Sequence, residues 1–310
     1  MRALFFGTPE IAVPSLEALV EVAEVVGVVC QPDRPAGRGL ELRQPPVKQK
    51  ALELGLEVIQ PTKLKTGEVA EWMRKKEADV ALVIAYGRIL PPDMLQAPRR
   101  GCMNLHASLL PKYRGAAPIQ WSIVHGETET GITLTQMDEG LDSGPIFAQR
   151  KIAILPDETA GELAVRLAAL AAEVTRLDLP RAVSGELVAV PQNHDEATFA
   201  PILQKDDGRV DFAKPAQAVH NHVRGMTPWP GAFTKLPDGR TLKLLQTRLG
   251  SWESPNAEPG TIIAADKVHV LVACSKGTIE IVRAQVEGRK PLSAGELVAG
   301  RTLSTGMKLG

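Results

Sequence analysis

Residues 102–108 read CMNLHAS, which puts Cys102, Asn104, His106 and Ser108 at alternate positions. On an extended strand, residues two apart share a face, so Asn104 and His106 stand about 7 Å apart and can converge on one small group between them. A carboxamide beside an imidazole suits the stabilisation of an oxygen that gains negative charge, coupled to transfer of a proton. The acidic, glycine-flanked loop MDEGLDSG at 137–144 follows the next helix and strand. It carries Asp142 toward the same sheet edge, where a carboxylate orients a histidine tautomer and favours its protonated form.

Other chemistries fail on spacing. Cys102 and His106 are four strand residues apart, about 13 Å, beyond the reach of a thiolate–imidazole pair. Ser108 lacks the GxSxG elbow of a serine hydrolase. The HNH at 220–222 has no matching Cys or Glu cluster, and the HxE…PCxxC signature of zinc deaminases is absent, so no metal is expected. Asp138, Glu139 and Asp142 lack the alternating spacing and terminal Glu of a calcium loop. FFGTPEIAVPS, after the first apolar run, has one glycine where a nicotinamide fingerprint needs three. What remains is a reaction in which the substrate supplies the nucleophile. An amine attacking an activated acyl group needs an oxyanion donor and a proton acceptor but no enzyme nucleophile. An α-amino group, with pKa near about 7.7, is partly neutral at neutral pH.

The elements around these residues alternate. Apolar runs at 2–7, 22–30, 56–61, 78–86 and 102–108 read as strands separated by helical spacings at 11–21, 47–55 and 66–77, with a further helix over 116–126. TGITLTQMD is another strand and PIFAQRKIAIL an edge strand, antiparallel in this reading. This order predicts an α/β fold with a Rossmann-like, doubly wound, mostly parallel sheet. TAGELAVRLAALAAEVTRLDLPRAV reads as one long helix. The grammar then changes. Residues 189–207 are polar and read as a linker. From 208 to 310, one helix at 213–226 is followed by short strands set off by Gly and Pro, which predicts a small OB-like β-barrel. The expected domains are therefore 1–188 and 208–310.

A chain of 310 residues has room for two such domains. Formal net charge is zero, so the whole-chain balance announces no polyanionic partner. The charge is uneven, however: residues 206–310 hold fourteen Lys and Arg against ten Asp and Glu. The loop QPDRPAGRGLELRQPP and the residues after it carry Arg34, Arg38, Arg43, Lys48 and Lys50 against Asp33 and Glu41. Basic segments beside a barrel point to nucleic acid. Three separated cysteines with no CxxC fit a reducing compartment. No signal-peptide core and no run of about 18 apolar residues is present, so a cytoplasmic protein that does not enter the membrane is expected.

Five words in order, LFFGTP, QPDRPAGRG, VIAYGRILP, NLHASLLPKYRGAAPIQ and QMDEGLDSGP, closely resemble the methionyl-tRNA formyltransferase family, and the resemblance covers nearly the whole chain. It implies an N-terminal domain that binds 10-formyltetrahydrofolate and a C-terminal barrel that helps hold initiator methionyl-tRNA. It makes Asn104, His106 and Asp142 the catalytic group and places Ser108, Leu109, Leu110 and Pro111 at the folate. YGRILP, with Tyr86, Ile89 and Leu90, offers apolar contacts and backbone groups to a flat pterin-like ring. Arg38 would grip the acceptor stem, with Arg34 and Arg43 beside it. In the C-terminal region the match rests mainly on PWPGAF. Two other readings keep parts of this pattern: a formyltransferase for a small-molecule amine, and a non-catalytic tRNA-binding protein.

Overall fold

The computed structural model describes the chain except residues 37–40 and 252–255. The chain divides into two compact units. One comprises Met1–Pro118, Glu129–Ile152 and Ala164–Ala200; the other comprises Ile119–Thr128, Ala153–Leu163 and Pro201–Gly310.

The elements run β1 (Arg2–Gly7), α1 (Val13–Val22), β2 (Glu24–Val29), β3 (Arg34–Ala36), β4 (Glu41–Arg43), α2 (Pro46–Glu53), β5 (Val58–Ile59), α3 (Glu68–Lys75), β6 (Val80–Ile84), α4 (Pro92–Leu95), β7 (Cys102–His106), β8 (Arg114–Gly115), α5 (Pro118–Val124), β9 (Glu129–Gln136), β10 (Ile146–Ala153), α6 (Ala160–Leu177) and α7 (Leu179–Ser184). Seven strands form one sheet in the order β10-β9-β7-β6-β1-β2-β5. Pairing is parallel from β5 through β7. β9 turns antiparallel against β7. The central strand β1 is covered on both faces, with Ala3, Leu4, Phe5 and Phe6 fully buried. That explains its unbroken apolar run, and each buried phenylalanine contributes roughly 1.5–3 kcal/mol. Phe6 meets Tyr86 edge-on, with ring centroids 5.3 Å apart. Gly27 of β2 lies under Trp72 of α3, where a Cβ would fall 2.5 Å from the indole. Only glycine allows α3 to sit that close.

Two segments depart from the expected elements. The long helix breaks at Asp178: α6 ends at Leu177 and α7 begins at Leu179, with Pro180 in its first turn. Proline has no N–H to continue the ladder, and the buried Asp178 carboxylate is taken by Arg150 at 2.7 Å. The proline-rich stretch after β2 is an antiparallel ribbon of β3 and β4 at its base rather than irregular loop, with Arg34 opposite Arg43.

The second unit contains α8 (Ala216–Gly225), β12 (Ala232–Lys235), β13 (Thr241–Leu249), β14 (Ile262–Ala265), β15 (Val270–Ala273), β16 (Thr278–Val286), β17 (Leu292–Ser293) and α9 (Ala294–Ala299); β11 (Phe199–Ala200) precedes them in the first unit. The sheet order is β12-β13-β16-β15-β14, with β17 on β16, and its pairings are antiparallel. The C-terminal residues bridge its edges. Gly306 N and Leu309 N donate to the carbonyls of Ile262 and Gly260, while Gly310 N reaches the carbonyl of Lys235 in β12. The two outer strands of the sheet are thereby joined through the C-terminal residues. Among the described residues, no helix is long and apolar enough to cross a membrane.

Candidate active site

The parallel strands deliver their carboxyl ends to one edge of the first unit, and the order reverses at β1, which has β2 on one side and β6 on the other. Ligands in open α/β sheets bind at such a reversal. Here it opens a cleft of about 730 Å³ lined by Thr8, Gln31, Arg34, Arg43, Tyr86 and Arg88, with apolar walls from Pro9, Pro32, Pro45 and Pro46. The Gln31 amide donates to the carbonyl of Tyr86 at 3.0 Å, whereas its buried Oε1 has no protein partner. Arg88 is spent on the carbonyls of Pro61 and Thr62.

β7, next to β6, carries the residues expected to be catalytic. Strand alternation sets Asn104 and His106 on one face, and the loop after β9 returns Asp142 to them. Asp142 Oδ1 lies 3.4 Å from Asn104 Nδ2 and 3.6 Å from His106 Nδ1. Its Oδ2 accepts from the Gly115 N–H at 2.9 Å. His106 is buried, and its Nε2 lies 2.8 Å from the carbonyl of Tyr113. A carbonyl only accepts, so Nε2 bears a proton and Nδ1 is left to exchange one. The nitrogen that faces Asp142 is therefore the nitrogen that can work. Cys102 is fully buried, and desolvation pushes its thiol up to about 12, so it offers no thiolate near neutral pH.

The residues expected at a folate divide by exposure. Ile89 stands 83% exposed, an apolar side chain offered to solvent just past β6. Tyr86 and Leu90 are buried. Ser108 and Leu110 are buried as well, and Leu109 and Pro111 partly so. The Ser108 hydroxyl donates to the carbonyl of Lys112 at 2.7 Å, and Thr133 ties the turn together through the Ser108 carbonyl and the Leu110 N–H. The Leu110 carbonyl is taken as well, by the Gln149 amide at 2.8 Å, so this turn is held by its own hydrogen bonds. Arg34 and Arg43 are exposed and make no ion pair among the described residues. Lys48 is neutralised by Asp33 at 2.7 Å, and Lys50 by Glu17 and Glu53. Arg38 lies outside the described residues.

Sequence reasoning missed a second set of residues. Gln192, in the stretch read as a linker, is buried and donates to the carbonyls of Asp142 and Gly144 at 2.9 and 2.7 Å. Its Oε1 accepts from the buried Arg114 through Nε and Nη2, at 3.2 and 2.6 Å. Among the described residues, no group of three or more His, Cys, Asp or Glu is placed to hold a metal ion.

Residues 1–177 match the model of the formyl transferase family, and residues 202–302 match that of the formyl transferase C-terminal domain. The chain belongs to the formyl transferase family. It is 64% identical over 311 residues to a methionyl-tRNA formyltransferase of Sorangium cellulosum, covering all of both chains. It is 50% identical to the enzyme of that name from Myxococcus xanthus, over 98% of this chain and 96% of the other. A solved N-formyltransferase from Helicobacter canadensis, in complex with folinic acid and dTDP-3-aminofucose, superposes with a TM-score of 0.67 at 19% identity, over 92% of this chain and 98% of that one. That likeness shows a shared fold. Membership of the family gives the chain the catalytic class that the geometry at β7 suits, a formyl transfer.

Proposed function

We propose that this enzyme transfers the formyl group of 10-formyltetrahydrofolate to the α-amino group of initiator methionyl-tRNA, in the cytoplasm. The observation that carries the reading is the convergence of Asn104, His106 and Asp142 at the carboxyl end of β7. The full-length likeness to methionyl-tRNA formyltransferases selects the acceptor.

The formyl folate supplies an acyl carbon on a nitrogen that can leave. Ile89, with the backbone of 87–90 and 108–111, would hold its flat ring, since Ile89 is the apolar side chain most open to solvent in these segments. Asn104 Nδ2 is only weakly held at 3.4 Å from Asp142, so it is free to donate to the formyl oxygen as charge grows there. A donor of that kind is worth about 3–4 kcal/mol in the transition state. His106 acts at Nδ1. As the neutral Nε2–H tautomer it accepts the proton the attacking amine loses; the imidazolium so formed donates to the same oxygen and then passes that proton to the folate nitrogen as its bond to the formyl carbon breaks. Asp142 stands 3.6 Å from His106 Nδ1 and is held in place by the Gly115 N–H on its other oxygen. Such contacts are often long before substrate binds. Arg34 and Arg43 border the cleft at the β1–β6 reversal and, with Arg38, supply the cations for an acceptor stem.

The test is formyl transfer from 10-formyltetrahydrofolate to three acceptors side by side: methionyl-tRNA, glycinamide ribonucleotide and a dTDP-amino sugar. Efficient turnover only with methionyl-tRNA is expected. Faster formylation of either small amine would replace this reading.

A further inference from the structure

We propose that residues 192–200 form a strap that positions His106 and Asp142 for catalysis, with Gln192 and Thr198 as its positioning residues. The inference rests on the assignment of those two side chains to the formyl transfer proposed above.

Three consecutive contacts of the strap each end on a group that touches the catalytic pair. Gln192 Nε2 donates to the main-chain carbonyl of Asp142 itself, and a second time to Gly144. Thr198 Oγ1 accepts from the Tyr113 N–H at 2.9 Å, and the Tyr113 carbonyl is the acceptor that fixes the His106 tautomer. The two-residue strand β11 pairs in parallel with β8, so Ala200 lies against Gly115, whose N–H holds Asp142 Oδ2. Thr198 O also accepts from Arg114 N, and the Arg114 guanidinium runs back to Gln192 and to His194 Nδ1. The strap is thus closed at both ends through Arg114.

The backbone at the anchored points explains why a strap is needed. Asp142 has φ 48° and Tyr113 φ 61°, both in the left-handed region that non-glycine residues enter at a cost. Residues held in such conformations persist only where surrounding contacts over-determine them. Gln192 supplies that at Asp142, and Thr198 supplies it at Tyr113. Without them the carbonyl of Tyr113 and the carboxylate of Asp142 relax toward ordinary backbone conformations, and the His106 ring loses both its tautomer and its partner.

Thr198 offers the cleaner test because it is exposed, so replacing it leaves the interior intact. Thr198→Val keeps the shape and removes the acceptor for Tyr113 N; Thr198→Ser keeps the acceptor. Formyl transfer to methionyl-tRNA is measured for both and for the buried Gln192→Met. In parallel, ¹⁵N-histidine NMR reads the protonation of the two His106 ring nitrogens. Misplacing a catalytic group by an ångström can cost a hundredfold. The expectation is a fall in kcat of about tenfold or more for Thr198→Val, with KM for either substrate changed less than about threefold and Thr198→Ser close to wild type. The Nε2–H signal of His106 should weaken in Thr198→Val and Gln192→Met. Wild-type kcat and an unchanged His106 tautomer in Thr198→Val would overturn the proposal, as would a serine variant as damaged as the valine one. If the wild-type protein formylates no methionyl-tRNA, the functional reading fails, while the NMR comparison still decides whether the strap positions His106.

Discussion

The Nε2 of His106 donates to the carbonyl of Tyr113 at 2.8 Å, and this one bond assigns the proton-exchanging role to Nδ1, the nitrogen 3.6 Å from Asp142. It follows that removing the ring, or the amide that shares its strand face, should strike the transition state rather than the fold. His106→Ala and Asn104→Ala are each expected to lower turnover at least about 100-fold. Folding checked by circular dichroism should be retained. Near-normal turnover in a folded variant of either kind would remove that residue from the mechanism.

Asp142→Asn separates charge from shape. The amide keeps the size and one oxygen but loses the negative charge beside His106 Nδ1, and it can accept from Gly115 N–H only through that oxygen. Turnover should fall to near background while binding of the folate substrate, followed by fluorescence or calorimetry, changes little. Loss of folate binding with equal severity would mean that Asp142 is mainly a recognition group.

Gly115 tests how tightly Asp142 is held. Its φ of 121° lies where side chains are rarely tolerated, and an added Cβ would meet the carbonyl oxygen of Ala200 at 2.6 Å. Gly115→Ala must shift the backbone N–H that binds Asp142 Oδ2, so a loss of more than about 1 kcal/mol in stability is expected together with a loss of activity. A variant that melts with the wild type and turns over normally would show that the β8–β11 contact is slack.

How far the site could be read from sequence follows from the range of the signals. Asn104 and His106 obey the two-residue period of a single strand, and Asp142 sits in a glycine-marked loop one helix and one strand later; both are local patterns. Gln192, Arg114 and Thr198 carry no period, and their partners lie up to 85 residues away, so nothing local in the polar stretch read as a linker showed that it bonds back to Tyr113, Arg114 and Asp142. Proline and glycine around residue 35 masked the β3–β4 ribbon because they are also loop formers. The break at Asp178 was visible in Pro180 but was outvoted by the alanine- and leucine-rich pattern on its left. Helix α9 was missed although Ser293 and Glu296 form a reciprocal capping box at its start, a signal written in four residues. The joining of the outer strands depends on the last five residues bonding to strands about 50 and 75 positions earlier, which no local window contains.

The HNH segment, which served no metal site in the sequence, makes the second unit sensitive to acid. His220 and His222 are held below the usual histidine range, chiefly because burial penalises the charged ring. His220 Nδ1 is engaged with Thr247 at 3.0 Å, and its Nε2 lies 3.1 Å from Asp157, a carboxylate that offsets the burial only in part while Arg224 adds to it. An unfolded histidine takes its proton near about pH 6.5. Below that pH the unfolded chain binds more protons than the folded one. The stabilisation is therefore complete above about pH 6.5 and is lost as pH falls through the lowered folded-state values. His269 is shifted the other way by Glu280, but at the surface, where solvent screens the pair. Thermal melts should show a lower Tm at pH 5.5 than at pH 7.5, with the difference reduced in His222→Gln. Equal melting temperatures at the two pH values would contradict this assignment.

The last prediction concerns Arg34 and Arg43, which the β3–β4 ribbon sets directly opposite one another. Like charges in register across a strand pair cost a few tenths of a kcal/mol up to about 1, a cost that a bound polyanion removes. Of the loop's five cations, Lys48 and Lys50 already have carboxylate partners, so Arg34 and Arg43 are the described ones left for phosphate, and the resemblance adds Arg38 to them. Arg34→Ala, Arg43→Ala and Arg38→Ala should each weaken methionyl-tRNA binding, raising KM for tRNA while leaving folate affinity intact. Each lost phosphate contact should also flatten the dependence of log affinity on log salt by about 0.7–0.9. Lysine at any of the three should restore only part of the effect, because it keeps the charge and loses the planar fork. The measurement is the formylation rate against tRNA concentration at two or more salt levels. If all three alanine variants keep the wild-type KM and the wild-type salt slope, the ribbon plays no part in binding the acceptor stem, and recognition of tRNA has to be sought on the excess positive charge of residues 206–310.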